Sequence, residues 1–333
     1  MIPEPTSILA FRNGSIGNTL AAVPALRALR QRYPQATLSV VVDPIGFQLL
    51  EHCPLCDHLV VYDKRGRHRS LLAQAALVRD LRKLKPSHAI LFKRFFRNGL
   101  LAFLSGAGVR AGFRTDGKAP FLTHTVPYEE RVHVVDLNLR LAALLDAASD
   151  DRRLEMFLTD GDQEQARDLL GSSPYVVAHY GGQTTPPDFV PKERFVHLLR
   201  LIAGQDLRVV IIGSGRAETE RAQALAAEVS AGYAATNLPL RVTSALIEGA
   251  ELLVGFNSGP AHIAAAVGTP ELVFFRSDKN TESEILKWSP ISNCSRTFVP
   301  PRSSADQEWA EFMERVVCTA HELASARATV RVG

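Results

Sequence analysis

Residues Glu251 to Phe275 read ELLVGFNSGPAHIAAAVGTPELVFF. The apolar run Glu251 to Phe256 has strand length. Asn257, Ser258 and Gly259 are turn residues, and Ser258 or Gly259 suits a helix N-cap. Pro260 then falls at the first helical position, where its missing N–H costs nothing. Ala261 to Val267 is small and helix-forming. Gly268 suits the left-handed residue after a helix, and Pro270 stops continuation. The reading is strand, tight turn, short helix, turn, strand. Such a helix aims unpaired N–H groups and partial positive charge beyond the strand end, as a phosphate or diphosphate would need. The same pattern also fits a well-capped βαβ corner, and spacing alone does not separate the two.

Working backwards, the second half repeats this alternation. Tyr175 to His179 is a strand followed by YGGQTTPPDFVP, and Glu193 to Ala203 is a helix. Leu207 to Ile212 is a strand followed by Gly213-Ser214-Gly215. Glu218 to Val229 and Leu246 to Ala250 are helical. The first half reads alike. Strands are expected at Ser7 to Phe11, Thr37 to Val42, Leu59 to Tyr62 and Ala89 to Phe92. Helical stretches lie between them, including one from Leu20 that Pro24 interrupts, Gly46 to His52, and Leu71 to Leu84. Gly108 to Pro127 is turn-rich and poorly periodic. Val132 to Leu145 is helical, and Leu154 to Leu158 is strand-like. Alternation of this kind predicts an α/β chain with parallel sheets and crossover helices.

Ligands of open α/β sheets gather beyond the carboxyl ends of the strands. Two basic clusters sit there: Lys64-Arg65-Gly66-Arg67-His68-Arg69 and Lys93-Arg94-Phe95-Phe96-Arg97. They point to an anionic partner, such as a phosphorylated sugar or a lipid head, although charge runs are also commonly solvated loops. Asp160-Gly161-Asp162 resembles a metal-binding pair, but it precedes a helix and suits capping. Cys53-x-x-Cys56, flanked by His52 and His58, could hold zinc or cycle as a redox pair. No second ligand pair at matching spacing accompanies it, and two reduced thiols in a loop fit equally.

The 333 residues suffice for two domains, at 46% hydrophobic and 22% charged. A net charge of +3 excludes a globally basic nucleic-acid binder. The start MIPEPTSILAFRNG lacks a basic region followed by a long apolar core, so a cytoplasmic protein is expected, with contact to a membrane face left open.

Four motifs, in order, carry a resemblance. They are Ser15-Ile16-Gly17-Asn18-Thr19-Leu20 with Pro24-Ala25-Leu26-Arg27; Pro191-Lys192-Glu193-Arg194-Phe195; Ile211-Ile212-Gly213-Ser214 with Glu218 and Glu220; and Asn257-Ser258-Gly259-Pro260-Ala261-His262 through Pro270. On these the chain resembles the heptosyltransferase-like glycosyltransferases of family 9. The resemblance implies a GT-B fold, two Rossmann-like domains facing across a cleft. Residues 1–155 would take the acceptor and residues 156–333 the nucleotide sugar, with the C-terminal helix able to pack back on the first domain. It implies metal-independent transfer, with inversion and no cofactor, of a sugar such as heptose from ADP-heptose. The acceptor would be lipopolysaccharide core or a natural product.

The resemblance also assigns residues. Gly181, Gly182, Gly213, Ser214, Glu218, Asn257, Ser258, Gly259, Pro260 and His262 fall at the donor, with Arg276 and Lys279 as cations for the leaving diphosphate. Ser15, Arg65, Arg67, Lys93, Arg94 and Arg97 fall at the acceptor. Departures are visible. The family's usual aspartate, the general base, is Asn18 here, and a neutral amide has no titratable lone pair near neutral pH. Asn18 could still orient an acceptor. Asp43 is then the candidate base and Asp188 the second choice, unless the acceptor is an amine. Asn257 likewise replaces an aspartate, and a lysine common after the first strand of the second domain has no counterpart. A sugar-nucleotide-binding homologue without catalysis, or another GT-B sugar-nucleotide enzyme, is the alternative.

Overall fold

The computed structural model describes residues 2–114, 120–182 and 188–332. Part of the turn-rich stretch before Pro127 and part of the loop after Gly182 therefore lie outside the described residues. The chain divides into two compact units, Met1–Phe157 and Leu158–Gly333.

The first unit runs β1 (Ser7–Arg12), α1 (Ile16–Leu20), α2 (Val23–Arg32), β2 (Thr37–Val42), α3 (Pro44–Leu50), β3 (His58–Val61), α4 (Leu71–Lys83), β4 (His88–Leu91), α5 (Phe96–Leu104), β5 (Val109–Phe113), β6 (His124–Val126) and α6 (Val134–Ala143). Its strands form one sheet in the order β3-β2-β1-β4-β5-β6. The pairing is parallel, with Ala10 opposite Val40 and Phe11 opposite Leu91. β1 is buried at every position, as a central strand covered on both faces must be. Leu9, Phe11, Leu77, Leu81, Leu91 and Leu101 meet in one core cluster on one side of the sheet.

The second unit runs α7 (Asp160–Leu170), β7 (Tyr175–His179), α8 (Lys192–Ala203), β8 (Arg208–Gly213), α9 (Arg216–Glu228), β9 (Gly232–Thr236), α10 (Leu240–Gly249), β10 (Leu252–Phe256), α11 (Gly259–Val267), β11 (Glu271–Phe274), α12 (Thr281–Trp288), β12 (Ser295–Phe298) and α13 (Asp306–Val332). Its sheet has the order β12-β11-β10-β7-β8-β9. Read from β9, this is the same topology as the first unit. Phe195, Phe256 and Phe274 form its aromatic centre, with Phe195 and Phe256 ring centroids 5.7 Å apart. α13 completes that core with Trp309, Phe312, Met313, Val316, Ala320 and Leu323.

Several expectations need correction. The stretch Gly108 to Pro127 carries two strands, β5 and β6, whose shortness and internal glycines hide their alternation. β9 lies in a segment given no element, because GYAAT carries no β-branched aliphatic or leucine side chain to mark a strand. α10 starts six residues before Leu246, at the residue after Pro239. Leu154 to Leu158 is not a strand. Leu154 and Met156 do alternate inward, but the segment is held by Arg27, whose Nε donates to Glu155 at 3.1 Å and whose Nη2 donates to the Arg153 carbonyl at 2.9 Å. Alternation there records burial against a helix rather than a ladder.

Asp162 closes a capping box with Thr159 and meets Arg241 Nη2 at 2.6 Å. Burial would raise its carboxyl pKa, but Arg241 and Thr159 bring it down to about 2. Cys53 and Cys56 are free thiols with Sγ atoms 3.9 Å apart. Among the described residues no three His, Cys, Asp or Glu side chains gather as a metal site. Among them, too, no helix is long and apolar enough to cross a membrane.

Candidate active site

In both units the direction of strand addition reverses once. In the first this happens between β1 and β4, and in the second between β7 and β10. The loops leaving those strand pairs diverge, and the crevice between them is where open α/β sheets receive ligands.

At the first switch point a cavity of about 740 Å³ is lined by Asn13, Gly14 and Ser15 after β1, Asp43 to Ile45 after β2, Tyr62 to Arg65 after β3, and Lys93 and Phe95 to Asn98 after β4. Of the acceptor residues expected from sequence, Ser15, Arg65, Lys93 and Arg97 meet here, joined by Asp43. Arg67 and Arg94 do not line it. Arg94 stacks 3.6 Å from the Tyr128 ring centroid and pairs with Glu130 at 3.3 Å, while Arg67 donates its backbone N–H to Asp63 and leaves its side chain exposed.

The floor of this cavity is specific. Asp43 caps α3 by accepting from the Gly46 amide at 2.8 Å, and its second oxygen accepts from Gly14 at 2.8 Å. A β-carbon on Gly14 would lie 3.2 Å from Lys93 Nζ, and its φ of +155° also favours glycine. Burial lowers the Lys93 pKa, helped by Arg12 and Lys64 and opposed by Asp43. Arg12 is buried beneath the loop. Its Nε donates to the Asn18 carbonyl at 2.6 Å, its Nη1 to the Phe92 carbonyl at 3.0 Å, and its Nη2 to Asn18 Oδ1. The Asn18 amide nitrogen then donates to Ser15 Oγ at 2.8 Å. Both ends of the Asn18 side chain are thus engaged, and it positions Ser15.

Sequence reasoning missed Asn13 and Asn98. The Asn13 amide nitrogen and oxygen and the Asn98 amide nitrogen are buried with no hydrogen-bond partner among the described residues. Each such group costs roughly 1–3 kcal/mol until something pairs with it. Neither sits in a motif. The available signal was only that asparagine follows β1 and that another lies in the first turn after β4.

At the second switch point the turn after β10 matches the quoted stretch closely. Ser258 is the N-cap, Gly259 and Pro260 open α11, and Gly268 ends it with φ 73° and ψ 23°. Ser258 Oγ lies 3.1 Å from His179 Nδ1, and His179 Nε2 lies 3.5 Å from Glu218 Oε2. Glu218 accepts the Ser214 amide at 2.8 Å. Burial would raise the Glu218 pKa, but His179 and the Ser214 amide leave it below the usual range. Gly182 closes on the same cluster, since a β-carbon there would stand 3.5 Å from Ser258 Cβ and 3.8 Å from His179 Cε1. A β-carbon on Gly213 would come within 2.9 Å of Glu218 Cβ. The tips of β7, β8 and β10 are therefore tied together by His179, a residue the sequence marked only as the end of a strand. Gly181 is buried with φ 73°, and the Asn257 amide donates to the Phe274 carbonyl at 3.2 Å. His262, in the first turn of α11, is 6% exposed.

A second cavity in this unit, of about 850 Å³, is bordered by Asp188, Phe189, Arg194, His197, Arg276 and Arg302 among others, and none of the His179, Ser258 and Glu218 cluster lines it. Arg276 makes a two-pronged pair with Asp188 and stacks 5.0 Å from the Phe189 ring centroid. Asp188 is held below the ordinary carboxylate range by that guanidinium, which makes it a poor base. Lys279 is exposed on the following loop and does not line the cavity.

The profile of glycosyltransferase family 9 (heptosyltransferase) matches residues 74–308. The chain belongs to glycosyltransferase family 9. The family-9 chain is 21% identical over 317 residues to the lipopolysaccharide core heptosyltransferase OpsX of Haemophilus influenzae, covering 92% of this chain and 88% of that protein. In structure it is similar to a family 9 glycosyl transferase from Veillonella parvula, with a TM-score of 0.84 at 20% identity, covering 98% of this chain and 99% of that one. It is also similar to the E. coli heptosyltransferase WaaC solved with ADP, with a TM-score of 0.75 at 19% identity, covering 93% and 99%. The fold is GT-B and the family-9 chain is a glycosyltransferase.

Proposed function

We propose that this glycosyltransferase moves heptose from ADP-heptose to a hydroxylated, anionic acceptor of the lipopolysaccharide-core kind, in the cytoplasm and with inversion. The observation that carries the reading is the cavity at the first switch point. It combines Lys64, Arg65, Lys93 and Arg97 with the unpaired buried amides of Asn13 and Asn98. Cations call for negative charge, and the amides call for hydroxyl or carboxylate partners. A phosphorylated or acidic sugar supplies both. The donor half rests on the second switch point, where the backbone N–H groups of Ser258, Gly259, Gly181 and Gly182 offer a rim for a diphosphate, and on the likeness to WaaC, which was solved with ADP.

In this reading the acceptor hydroxyl attacks the anomeric carbon, the nucleoside diphosphate leaves, and the configuration inverts. Asp43 takes the hydroxyl proton. Its two oxygens each accept one backbone amide, and a carboxylate oxygen keeps a further lone pair. Asn18 holds Ser15 against the acceptor. Glu218, Gly213 and Ser214 shape the nucleotide end. Arg276 offsets charge on the leaving diphosphate.

Calorimetry with ADP on Gly259→Glu tests the donor half: the new carboxylate at the amide rim should weaken binding at least about tenfold. Steady-state turnover of ADP-heptose with phosphorylated sugar acceptors, comparing Arg97→Glu with wild type, tests the acceptor half. A raised acceptor KM with an unchanged donor KM is expected. Unaltered ADP affinity in the first variant, or a changed donor KM in the second, defeats the corresponding half.

A further inference from the structure

The loop from α3 to β3 carries two thiols, Cys53 and Cys56, that the proposed transfer does not use. It is built from two consecutive tight turns. The Cys53 N–H donates to the Leu50 carbonyl at 2.9 Å, and the Cys56 N–H donates to the Cys53 carbonyl at 3.2 Å. His52, at φ 65°, is the left-handed third residue of the first turn. Pro54 takes the second position of the other turn, where its fixed φ fits. The first and fourth residues of such a turn lie within about 7 Å of each other at Cα. A disulfide needs roughly 4.4–6.8 Å there. The backbone therefore already holds Cys53 and Cys56 close to bridging distance.

Their side chains converge too. The Cys56 S–H donates to Cys53 Sγ at 3.9 Å. That bond pulls the Cys53 thiol below its usual range and pushes Cys56 above it. Arg30 of α2 clamps the turn from outside. Its Nε donates to the Leu55 carbonyl at 3.0 Å, its Nη1 donates to the Ala36 carbonyl at 2.9 Å, and it pairs with Asp57. Asp57 in turn accepts the Leu38 amide at 2.7 Å. The loop is thus tied to both α2 and β2, and little ordering is left for bridge formation to supply. Cys53 is 5% exposed and Cys56 is half-buried, so a solute meets the pair at Cys56. Among the described residues no third His, Cys, Asp or Glu joins the two thiols as a metal site.

We infer that Cys53 and Cys56 form a dithiol site that exchanges reversibly with small disulfides of the glutathione class, closing to an intramolecular disulfide and reopening. The pair first loses one proton to solvent, and the second proton stays on the S–H···S bond, where either sulfur can carry the charge. Cys56 attacks one sulfur of the small disulfide and passes its proton to Cys53, and the first glutathione leaves as a thiolate. Cys53 then gives up that proton and attacks Cys56. The protein S–S bond forms, the mixed S–S bond breaks, and the second glutathione leaves as a thiolate. Two electrons have passed to glutathione, and its two thiolates take up the two protons the pair released. In reverse, reduced glutathione attacks Cys56, and Cys53 departs as the thiol of lower pKa, the better leaving group. The site depends on neither the donor nor the acceptor of the proposed reaction.

The test is equilibration of the full chain at fixed reduced glutathione with rising oxidised glutathione, followed by acid quenching, alkylation with iodoacetamide and peptide mass measurement. Cys53 and Cys56 should lose the label together, in one peptide lighter by two hydrogens and free of glutathione. Half-conversion should need at least about tenfold less oxidised glutathione than half-glutathionylation of the exposed Cys318, because the second sulfur comes from the same turn. Dithiothreitol should restore both labels. In Cys53→Ser nothing displaces glutathione, so its adduct on Cys56 should accumulate. In Cys56→Ser the buried Cys53 should react at least about tenfold more slowly than the wild-type pair. Circular dichroism melting shows that both variants fold, and the wild-type readout stands without them. A wild-type chain in which Cys56 keeps its glutathione overturns the inference. So does one in which both thiols stay labelled after Cys318 has reacted, or in which the bridge joins two chains on a non-reducing gel.

Discussion

At Asp43 one carboxylate organises a whole loop, because each of its oxygens holds a different backbone amide. Asp43→Asn keeps a capping oxygen and removes the titratable lone pair. Its kcat is expected to fall about 10²- to 10⁴-fold, with little change in melting temperature. A kcat within a few-fold of wild type would return the proton to another group. Glu271 makes the opposite case. It is fully buried at the start of β11, where burial drives its carboxyl well above the ordinary range and only Ser295 counters it. The folded chain therefore holds this proton more tightly than the unfolded chain does. Stability linked to Glu271 is fully present below the unfolded pKa and is lost as pH rises towards the folded one. Glu271→Gln should melt higher than wild type at neutral pH, and the gap should widen between about pH 5 and pH 8. Parallel melting curves across that range would show that Glu271 does not titrate differently on folding.

Element by element, the caps decide where chain direction and polarity are placed. α11 is nine residues long, too short to hold by propensity alone. Its ends are set by Pro260 and left-handed Gly268, and its body is buried from Ala261 to Ala266; Ser258 holds the N-cap position, but its hydroxyl donates to the Phe256 carbonyl at 3.0 Å rather than capping the helix. A β-carbon on Gly268 would meet nothing within 4 Å, so Gly268→Ala tests conformation alone. The cost is expected at about 1 kcal/mol from the positive φ, read from urea unfolding, and Gly268→Asn should recover part of it. These ends were legible in the sequence because proline and glycine act locally. β9 and the true start of α10 were not legible, because their residues become an element only once the sheet and α7 lie beside them.

For the molecule as a whole, the same strand order occurs twice, each time around its own core, and the last helix belongs to the second core. Removing residues 306–332 would uncover Phe274 and Phe298, which pack on Phe312 at 6.0 and 6.1 Å between ring centroids. That truncation should abolish cooperative unfolding of the second unit. Conversely, a fragment of residues 158–333 is expected to fold and bind ADP within a few-fold of the full chain, checked by calorimetry. Loss of ADP binding by a cooperatively folded fragment would place part of the nucleotide contacts elsewhere.

By itself the sequence determined the alternation of strands and helices, the division into two α/β halves, the capped turn at Ser258 to Pro260 and the family. All of these depend on residues within a few positions of one another, where periodicity and turn chemistry act. Tertiary structure alone decided which cations share a cavity. It brought Arg65, Lys93 and Arg97 together, left Arg94 on Tyr128 and Glu130, and buried the amides of Asn13 and Asn98 beside Asp43. It also made His179 the tie between Ser258 and Glu218. The reason is physical. These neighbours lie on different crossover loops, and only the parallel sheet, by sending every strand's end to one edge, puts them within reach of each other.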